Sequence, residues 1–276
     1  MRIKDFNHLT VYIFGGSSGI GLAAAQKAAA AGAHVFIFAR NVERLKRAVE
    51  KIRPFRIRPS QQSDFFSVDV TAPDQVERAV TAAADRYGPP DILINCAGHA
   101  YPRPFSEISR EQFQQTLAAN LLGTCFTIQA ALPYLRERGG YIVNTSSIAG
   151  FIGLYGYTDY AAAKFAVMGL SEALRNELKP LKIGVSVLCP PDTDTPGLAI
   201  SEQTIPEETK AISASAKLMQ PEEVAEALFK GIRRGAAVII PGRDGKLIYL
   251  AKRLVPGLVE WVMDRTVKKT QRKKGR

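Results

Sequence analysis

Leu9-Thr10-Val11-Tyr12-Ile13-Phe14-Gly15-Gly16-Ser17-Ser18-Gly19-Ile20-Gly21 is the stretch on which the fold turns. Its first six residues are apolar, β-branched and aromatic, the composition of a strand buried on both faces. Four glycines then punctuate a turn, and the Ala-rich run 22–31 reads as a helix. In a strand–turn–helix unit, glycines allow a tight turn, close approach of backbone to a phosphate, and close helix–strand packing. The free amides and dipole at the helix start attract an anion. Gly15, Ser17, Ser18, Gly19, Ile20 and Gly21 are therefore candidate ligands of a dinucleotide pyrophosphate. The plainer alternative is a turn that only packs tightly.

Working outward, apolar runs at 34–39, 64–70, 92–95, 141–145, 184–188 and 237–240 predict six further strands. Helical patterns lie between them. Asn41 is placed to cap a helix with Leu45, Ala48, Val49 and Ile52 on one face. Val76, Val80, Ala83 and Tyr87 mark the next helix. Ser109 and Gln112 form a capping-box pattern before Phe113, Leu117, Leu121 and Ile128. Further helices are expected at about 158–179 and after Pro221. This alternation predicts an α/β fold: a Rossmann doubly wound, seven-stranded, mainly parallel sheet with helices on both faces. A catalytic domain is expected over 1–242, with a lid at about 191–220, where the connection is unusually long. Residues 243–276 form a basic amphipathic tail.

Composition narrows the classes. The chain has 276 residues, 46% of them hydrophobic, which excludes collagen-like and disordered chains. Cys96, Cys125 and Cys189 are too scattered for a disulfide framework or a zinc site, so no metal is expected and a reduced, cytoplasmic setting fits. Residues 1–10 lack the apolar centre of a secretory signal, and no apolar run suits a membrane-spanning helix. Of the net charge of +11, residues 243–276 carry +8. That asymmetry points to a polyanionic partner surface, either lipid headgroups or nucleic acid.

Strand two ends in Phe38-Ala39-Arg40-Asn41, with no acid before Glu43. An acid there binds a ribose 2′-hydroxyl, whereas an arginine accommodates a 2′-phosphate, so NADPH is the expected cofactor, with Ser17 adding a hydroxyl. The bland reading of Arg40 is a solvated charge at a strand end. Asp69 is placed either to accept from the adenine amine or to cap a turn. Tyr160 and Lys164 are four apart on one helix face. A neighbouring ammonium is expected to lower a tyrosine pKa from about 10, making Tyr160 an acid in reduction and a base in oxidation. Ser147 ends strand five, and Asn120 lies mid-helix, where Asn is unfavourable unless its side chain has a use.

Together Gly15-x-x-x-Gly19-x-Gly21, Asn95-Cys96-Ala97-Gly98, Asn120, Ser147, Tyr160-x-x-x-Lys164 and Pro190-Pro191-Asp192-Thr193-Asp194-Thr195 resemble the short-chain dehydrogenase/reductase family over about 7–242. The resemblance implies a catalytic tetrad. Tyr160 donates the proton, Ser147 orients the carbonyl, Lys164 binds the nicotinamide ribose, and Asn120 holds a relay water. It implies cofactor contacts from Val70, Asn95, Ala97 and Gly98, and from Pro190, Thr193 and Thr195 at the carboxamide. It also implies a homodimer or homotetramer through the helices holding Asn120 and Tyr160. Two residues depart from the pattern: Phe14 stands at a usual Thr, and Pro191 at a usual Gly.

A narrower resemblance rests on 95–98, on Gly153-Leu154-Tyr155-Gly156-Tyr157-Thr158 and above all on 190–197. These look like the 3-ketodihydrosphingosine reductases. That likeness implies NADPH-dependent reduction of the C3 ketone of a long-chain keto sphingoid base, an amino ketone of early sphingolipid synthesis. Leu198, Ile200, Ile205, Ile212 and Leu218 either line a groove for its chain or pack the lid onto the body. Asp192 or Asp194 either accepts from its ammonium or caps a turn. In the tail, Leu247, Leu250, Ala251, Leu254, Leu258 and Val262 follow helical spacing, Pro256-Gly257 should break the helix, and Trp261 suits a lipid–water interface. Six Lys/Arg crowd 268–276. The tail is thus either a peripheral foot on the cytoplasmic face of a membrane or a helix packed on the body or a subunit partner. Competing readings keep the chemistry on a steroid, retinoid or acyl ketone, or make the chain a non-catalytic nucleotide- or nucleic-acid-binding protein.

Overall fold

Side-chain alternation along β1 (Thr10–Phe14) sends Val11 and Ile13 to one face of the sheet and Tyr12 and Phe14 to the other, and all four are buried. A strand buried on both sides needs two helical layers, and this fold supplies them. The computed structural model describes residues 1–214 and 216–274. Six more strands follow: β2 (His34–Ala39), β3 (Ser63–Ser67), β4 (Ile92–Asn95), β5 (Gly140–Thr145), β6 (Ile183–Leu188) and β7 (Val238–Ile239). Their order is β3-β2-β1-β4-β5-β6-β7, and every neighbouring pair is parallel. The "mainly parallel" expectation is thus wholly parallel, because helical crossovers return the chain in one direction. The order reverses between β1 and β4, which opens a crevice at the strands' C-terminal ends.

Helices α1 (Gly19–Ala30), α2 (Val42–Ile52) and α9 (Pro221–Arg234) cover the Val11 face. Helices α3 (Pro73–Tyr87), α5 (Gly123–Arg138) and α6 (Thr158–Leu178) cover the Tyr12 face. On that face Phe14 stacks on Phe38 with ring centroids 4.4 Å apart, and Phe38 stacks on Phe66 at 5.3 Å. This explains the departure at position 14: the ring joins an aromatic column that a threonine could not fill.

Local signals behave unevenly. Asn41 Oδ1 accepts from Arg44 N at 2.9 Å and caps α2. Ser109 Oγ accepts from Gln112 N at 3.1 Å, but the Gln112 amide donates to Tyr101 O and Asp159, so that capping box is only half formed. A complete box forms instead at α9, between Gln220 and Glu223. Strand three stops at Ser67, short of the expected Val70, because Asp69 turns the chain by accepting from Thr71 N and Oγ1. The helix expected to run through Asn120 is interrupted: α4 (Arg110–Leu117) passes through a π-helical turn (Ala118–Leu122) into α5. Asn120 Nδ2 donates back to Thr116 O and Thr124 Oγ1 to Asn120 O, side-chain bonds that widen a helical turn.

The segment 191–220 is not a plain loop. It contains α7 (Pro196–Ser201), capped by Thr195, and α8 (Glu207–Ser213). The tail forms α10 (Asp244–Leu254) and α11 (Pro256–Lys274), broken where expected. Tyr249, Val259 and Met263 anchor it on a cluster with Phe151, Ile152, Val167 and Val187, and α11 also lies against α8. The stripe foreseen in the tail points the other way: Leu247 is 65% exposed, Leu254 70% and Trp261 55%. Of the basic run 268–276, residues 275 and 276 lie outside the described residues.

Candidate active site

At the nucleotide end, three glycines set the wall. Gly15 has φ +79°, and a Cβ there would stand 2.6 Å from Ala97 N, so the β1 turn and the β4 turn touch through backbone alone. A Cβ on Gly21 would collide with the Gly15 carbonyl, which shows how tightly α1 is pressed onto the turn. Gly19, with φ +51°, faces the Thr195 methyl across the cleft. Ser18 precedes α1 without spending its hydroxyl on a cap, and the first turn holds no acid. The helix start therefore presents amides, a dipole and free hydroxyls of Ser17 and Ser18 to a cleft of about 430 Å³ that Ile20 also lines. This cradle fits a dinucleotide pyrophosphate: it is concave, glycine-rich at the turn and free of acids in the first turn of α1.

Arg40, mostly exposed, stands at the far end of the cleft with Asp69 Oδ2 4.0 Å away. Both carboxylate oxygens of Asp69 are thus engaged, one by Thr71 and one by Arg40, and its pKa is held below the usual value despite burial. Arg44, which sequence reasoning missed, lines the same end. Its signal was present in the four-residue spacing from Arg40 across the α2 cap. Val70, Ala97 and Gly98 line the middle. Asn95 does not reach the cleft wall. It is buried behind it, donating to Asn144 Oδ1 at 2.9 Å and accepting from Thr127, so it ties β4 to β5 and α5.

At the chemical end, α6 carries Tyr160 and Lys164, the turn after β5 carries Ser147, and the π turn carries Asn120. All four line one cleft, although they come from three separated segments. Lys164 is buried, donates from Nζ to Thr145 O at 2.9 Å and lies 5.4 Å from the Tyr160 ring centroid. Ser146 Oγ donates to Lys164 O at 2.8 Å and fixes that turn of α6. Ser147 Oγ accepts from Ala149 N at 3.1 Å and also bonds the Tyr160 phenol.

The expected lowering of the Tyr160 pKa does not occur. Burial pushes the phenol up to about 12, the Ser147 bond opposes this, and the Asp192 carboxylate adds to it. Burial also pushes Lys164 down to about 8, so much of the ammonium's leverage is lost. The physical reason is that desolvation acts on both charged forms at once. A phenol with a raised pKa keeps its proton, which suits a group that must donate it.

Asn120 Nδ2 donates to His99 O at 2.8 Å and to Thr116 O at 3.0 Å, whereas its Oδ1 is buried without a partner. A Cβ on Gly98 would strike that oxygen and come 3.5 Å from Lys164 Nζ, so the acceptor faces the lysine across a glycine. Buried acceptors of this kind are rare in native folds and usually have a use.

The remaining wall comes from the β6 loop and the lid. Pro190 O accepts from Ile148 N at 3.1 Å, Thr193 Oγ1 donates to Pro191 O at 2.8 Å, and Thr195 Oγ1 accepts from Leu198 N at 3.1 Å. Leu198 and Ile200 of α7 line the cleft, as do Leu154 and Tyr157. Leu154 and Tyr157 went unpredicted as wall residues, since an apolar side chain before a helix reads equally well as core.

A profile described as short chain dehydrogenase matches residues 9–205. The chain belongs to the short-chain dehydrogenase family. It is 40% identical over 244 residues to a 3-dehydrosphinganine reductase of Danio rerio, covering 88% of this chain and 74% of that protein. It is 39% identical over 240 residues to a 3-ketodihydrosphingosine reductase of Mus musculus, covering 86% and 72%. A 3-dehydrosphinganine reductase of Arabidopsis thaliana is 39% identical over 250 residues, covering 89% and 73%. Among solved structures, levodione reductase superposes with a TM-score of 0.78 at 26% identity, covering 88% of this chain and 99% of that one. A variant of actinorhodin polyketide ketoreductase with NADPH superposes with a TM-score of 0.76 at 29% identity, covering 86% and 97%. As a short-chain dehydrogenase, this chain is an oxidoreductase acting between a ketone and an alcohol with a nicotinamide cofactor.

Proposed function

We propose that this short-chain dehydrogenase reduces the C3 ketone of 3-ketodihydrosphingosine to dihydrosphingosine with NADPH, a step of sphingolipid biosynthesis. The observation that carries the chemistry is the Tyr160 phenol, kept protonated by burial and bonded to Ser147 in the cleft that the glycine turn floors. The relatives named above support the substrate. When bound, the nicotinamide supplies a hydride to the carbonyl carbon. Tyr160 gives its proton to the carbonyl oxygen, and Ser147 holds that oxygen in place. Lys164 holds the nicotinamide ribose, and the free Asn120 Oδ1 accepts from a water that returns the proton. The amides of α1 with Ser17 and Ser18 hold the pyrophosphate, and Arg40 with Arg44 holds the 2′-phosphate. Thr193, Thr195 and Pro190 bound the carboxamide, and Leu154, Tyr157, Leu198 and Ile200 take the start of the alkyl chain. Positioning and a proton donor are the two main sources of rate in such a site.

A second reading, reduction of another lipophilic ketone, is favoured by the same apolar wall and by the ketone-reducing structural neighbours. NADPH and NADH oxidation across 3-keto sphingoid bases, acyl ketones and steroids separates the two. The keto sphingoid base with NADPH should give the highest kcat/KM, and a steroid or acyl ketone in first place would sink the proposal.

The tail extends the reading. No helix among the described residues is long and apolar enough to cross a membrane. Leu247, Leu250, Leu254, Leu258 and Trp261 are nevertheless exposed on a segment of charge +8, the pattern of a foot resting on an anionic bilayer beside a catalytic unit over 1–242. Leu254→Glu with Leu258→Glu should abolish flotation with phosphatidylserine vesicles, and unchanged flotation refutes the foot. Exposed Leu122, at the end of the π turn, and Phe165, on α6, support pairing of subunits through those helices.

A further inference from the structure

The structure assigns Asp192 as the receptor for the substrate's ammonium, the residue that selects a 2-amino ketone over a plain ketone; the assignment rests on the reductase reading above. Among the described residues, Asp69 and Asp192 are the carboxylates on the cleft wall. Asp69 belongs to the nucleotide end, where Thr71 and Arg40 engage it. Asp192 is thus the carboxylate at the chemical end, and it is near enough to Tyr160 to act on the phenol's ionisation.

The loop that carries Asp192 is rigidly held. Its own carbonyl accepts from Met219 N at 3.0 Å, and Thr193 on its far side is tied to Pro191. The side chain bonds Ser213 at the end of α8, and among the described residues no lysine or arginine forms a salt bridge with it. The residue is exposed, and its carboxylate opens to water through the cleft. Desolvation and the neighbouring Glu202 carboxylate both raise its pKa, as expected of a negative charge lacking a counter-charge. Such a group beside a reacting carbonyl favours a cation.

Asp194 was the equal candidate in the sequence, and the fold removes it. Its Oδ2 accepts from Gln220 Nε2 at 3.5 Å, its backbone is tied to Met219, and it does not line the cleft. The chemistry of the substrate then fits the geometry. In a 2-amino-3-ketone the amine-bearing carbon is bonded directly to the carbonyl carbon. A phenol in reach of the carbonyl oxygen therefore brings the ammonium close to any carboxylate beside that phenol. A bound ammonium also cancels the negative charge that Asp192 directs at Tyr160, so substrate with an amine eases the proton transfer that it requires.

The test uses the full chain with NADP⁺ or NADPH and two matched ligand pairs: 3-ketodihydrosphingosine against its des-amino hydroxyketone, and dihydrosphingosine against its des-amino diol. For Asp192→Asn, KM for the amino ketone should rise roughly 10- to 100-fold, the range of a lost charge-assisted hydrogen bond. KM for the des-amino ketone should change less than about threefold, and Asp194→Asn should leave both within about twofold. Calorimetric titration should show the parent preferring the amine over the diol, and Asp192→Asn losing that preference. Equal losses on both ketones, or a parent without amine preference, overturn the assignment. If the parent reduces neither ketone yet loses its amine preference on Asp192→Asn, the reductase reading falls while the ammonium site stands.

Discussion

The first three strands and the last three strands serve one cleft by different physical means. On the β1–β3 side the work is done by backbone: Gly15 and Gly21 let main chain meet main chain, and Ser18 leaves the start of α1 open. On the β5–β7 side it is done by side chains whose ionisation is set by how deeply they are buried, Tyr160 upward and Lys164 downward. Binding a dinucleotide needs shape and partial charges, which a backbone supplies without titrating. Moving a proton needs groups poised between two states, which only side chains in a controlled dielectric supply.

The comparison breaks most sharply at Tyr160. Tyr160→Phe should lower kcat by roughly 10²- to 10⁴-fold, the usual worth of a positioned proton donor. NADPH affinity, read by fluorescence titration, should stay within about threefold, because the two ends divide the labour. A variant within tenfold of the parent rate would show that the phenol is not the donor.

Lys164 offers the next test, on stability rather than rate. Its folded pKa of about 8 lies below the ordinary lysine value, so between those pH values the unfolded chain holds a proton that the folded chain lacks. The contribution of Lys164 to stability therefore rises as pH increases through that window and is lost as pH falls toward 8. Lys164→Met removes this linkage. In cofactor-free protein the stability gap between variant and parent should favour the variant most at pH 7–8. It should close by roughly 3 kcal/mol by pH 10.5, measured by urea unfolding. The raised thiols of Cys96 and Cys189 slope the other way in both proteins and largely cancel in the difference. A gap independent of pH would mean that the ammonium is not desolvated.

The smallest effect is expected at the nucleotide end. Arg40→Ala should raise KM for NADPH by roughly tenfold and leave KM for NADH nearly unchanged, since an exposed arginine is partly screened and Arg44 remains. Equal changes for both cofactors would move the 2′-phosphate away from Arg40.

Much of this was legible in the chain and some was not. The strand runs, the glycine turn and the Asn41 cap depend on neighbours within a few residues, so their reading matched the fold. Asn95 reads as a cofactor ligand because the run Asn95-Cys96-Ala97-Gly98 resembles the family's motif. Its side chain points the other way, to Asn144 and Thr127, a distinction no spacing encodes. Leu247, Leu250, Leu254 and Leu258 of the tail stripe lie exposed. Which face met the body depended on Tyr249, Val259 and Met263, residues off that stripe.

The order of residues alone determined the doubly wound sheet, the glycine turn before α1 and the two caps at Asn41 and Ser109. These follow from local sterics, periodicity and the spacing of chemically distinctive side chains. Only the folded molecule decided that Asn120 sits in a π turn with a free acceptor, that burial raises the Tyr160 pKa, and that Asp192 rather than Asp194 lines the cleft. Each of those depends on desolvation and on partners distant in the chain, quantities that exist only once the elements have packed.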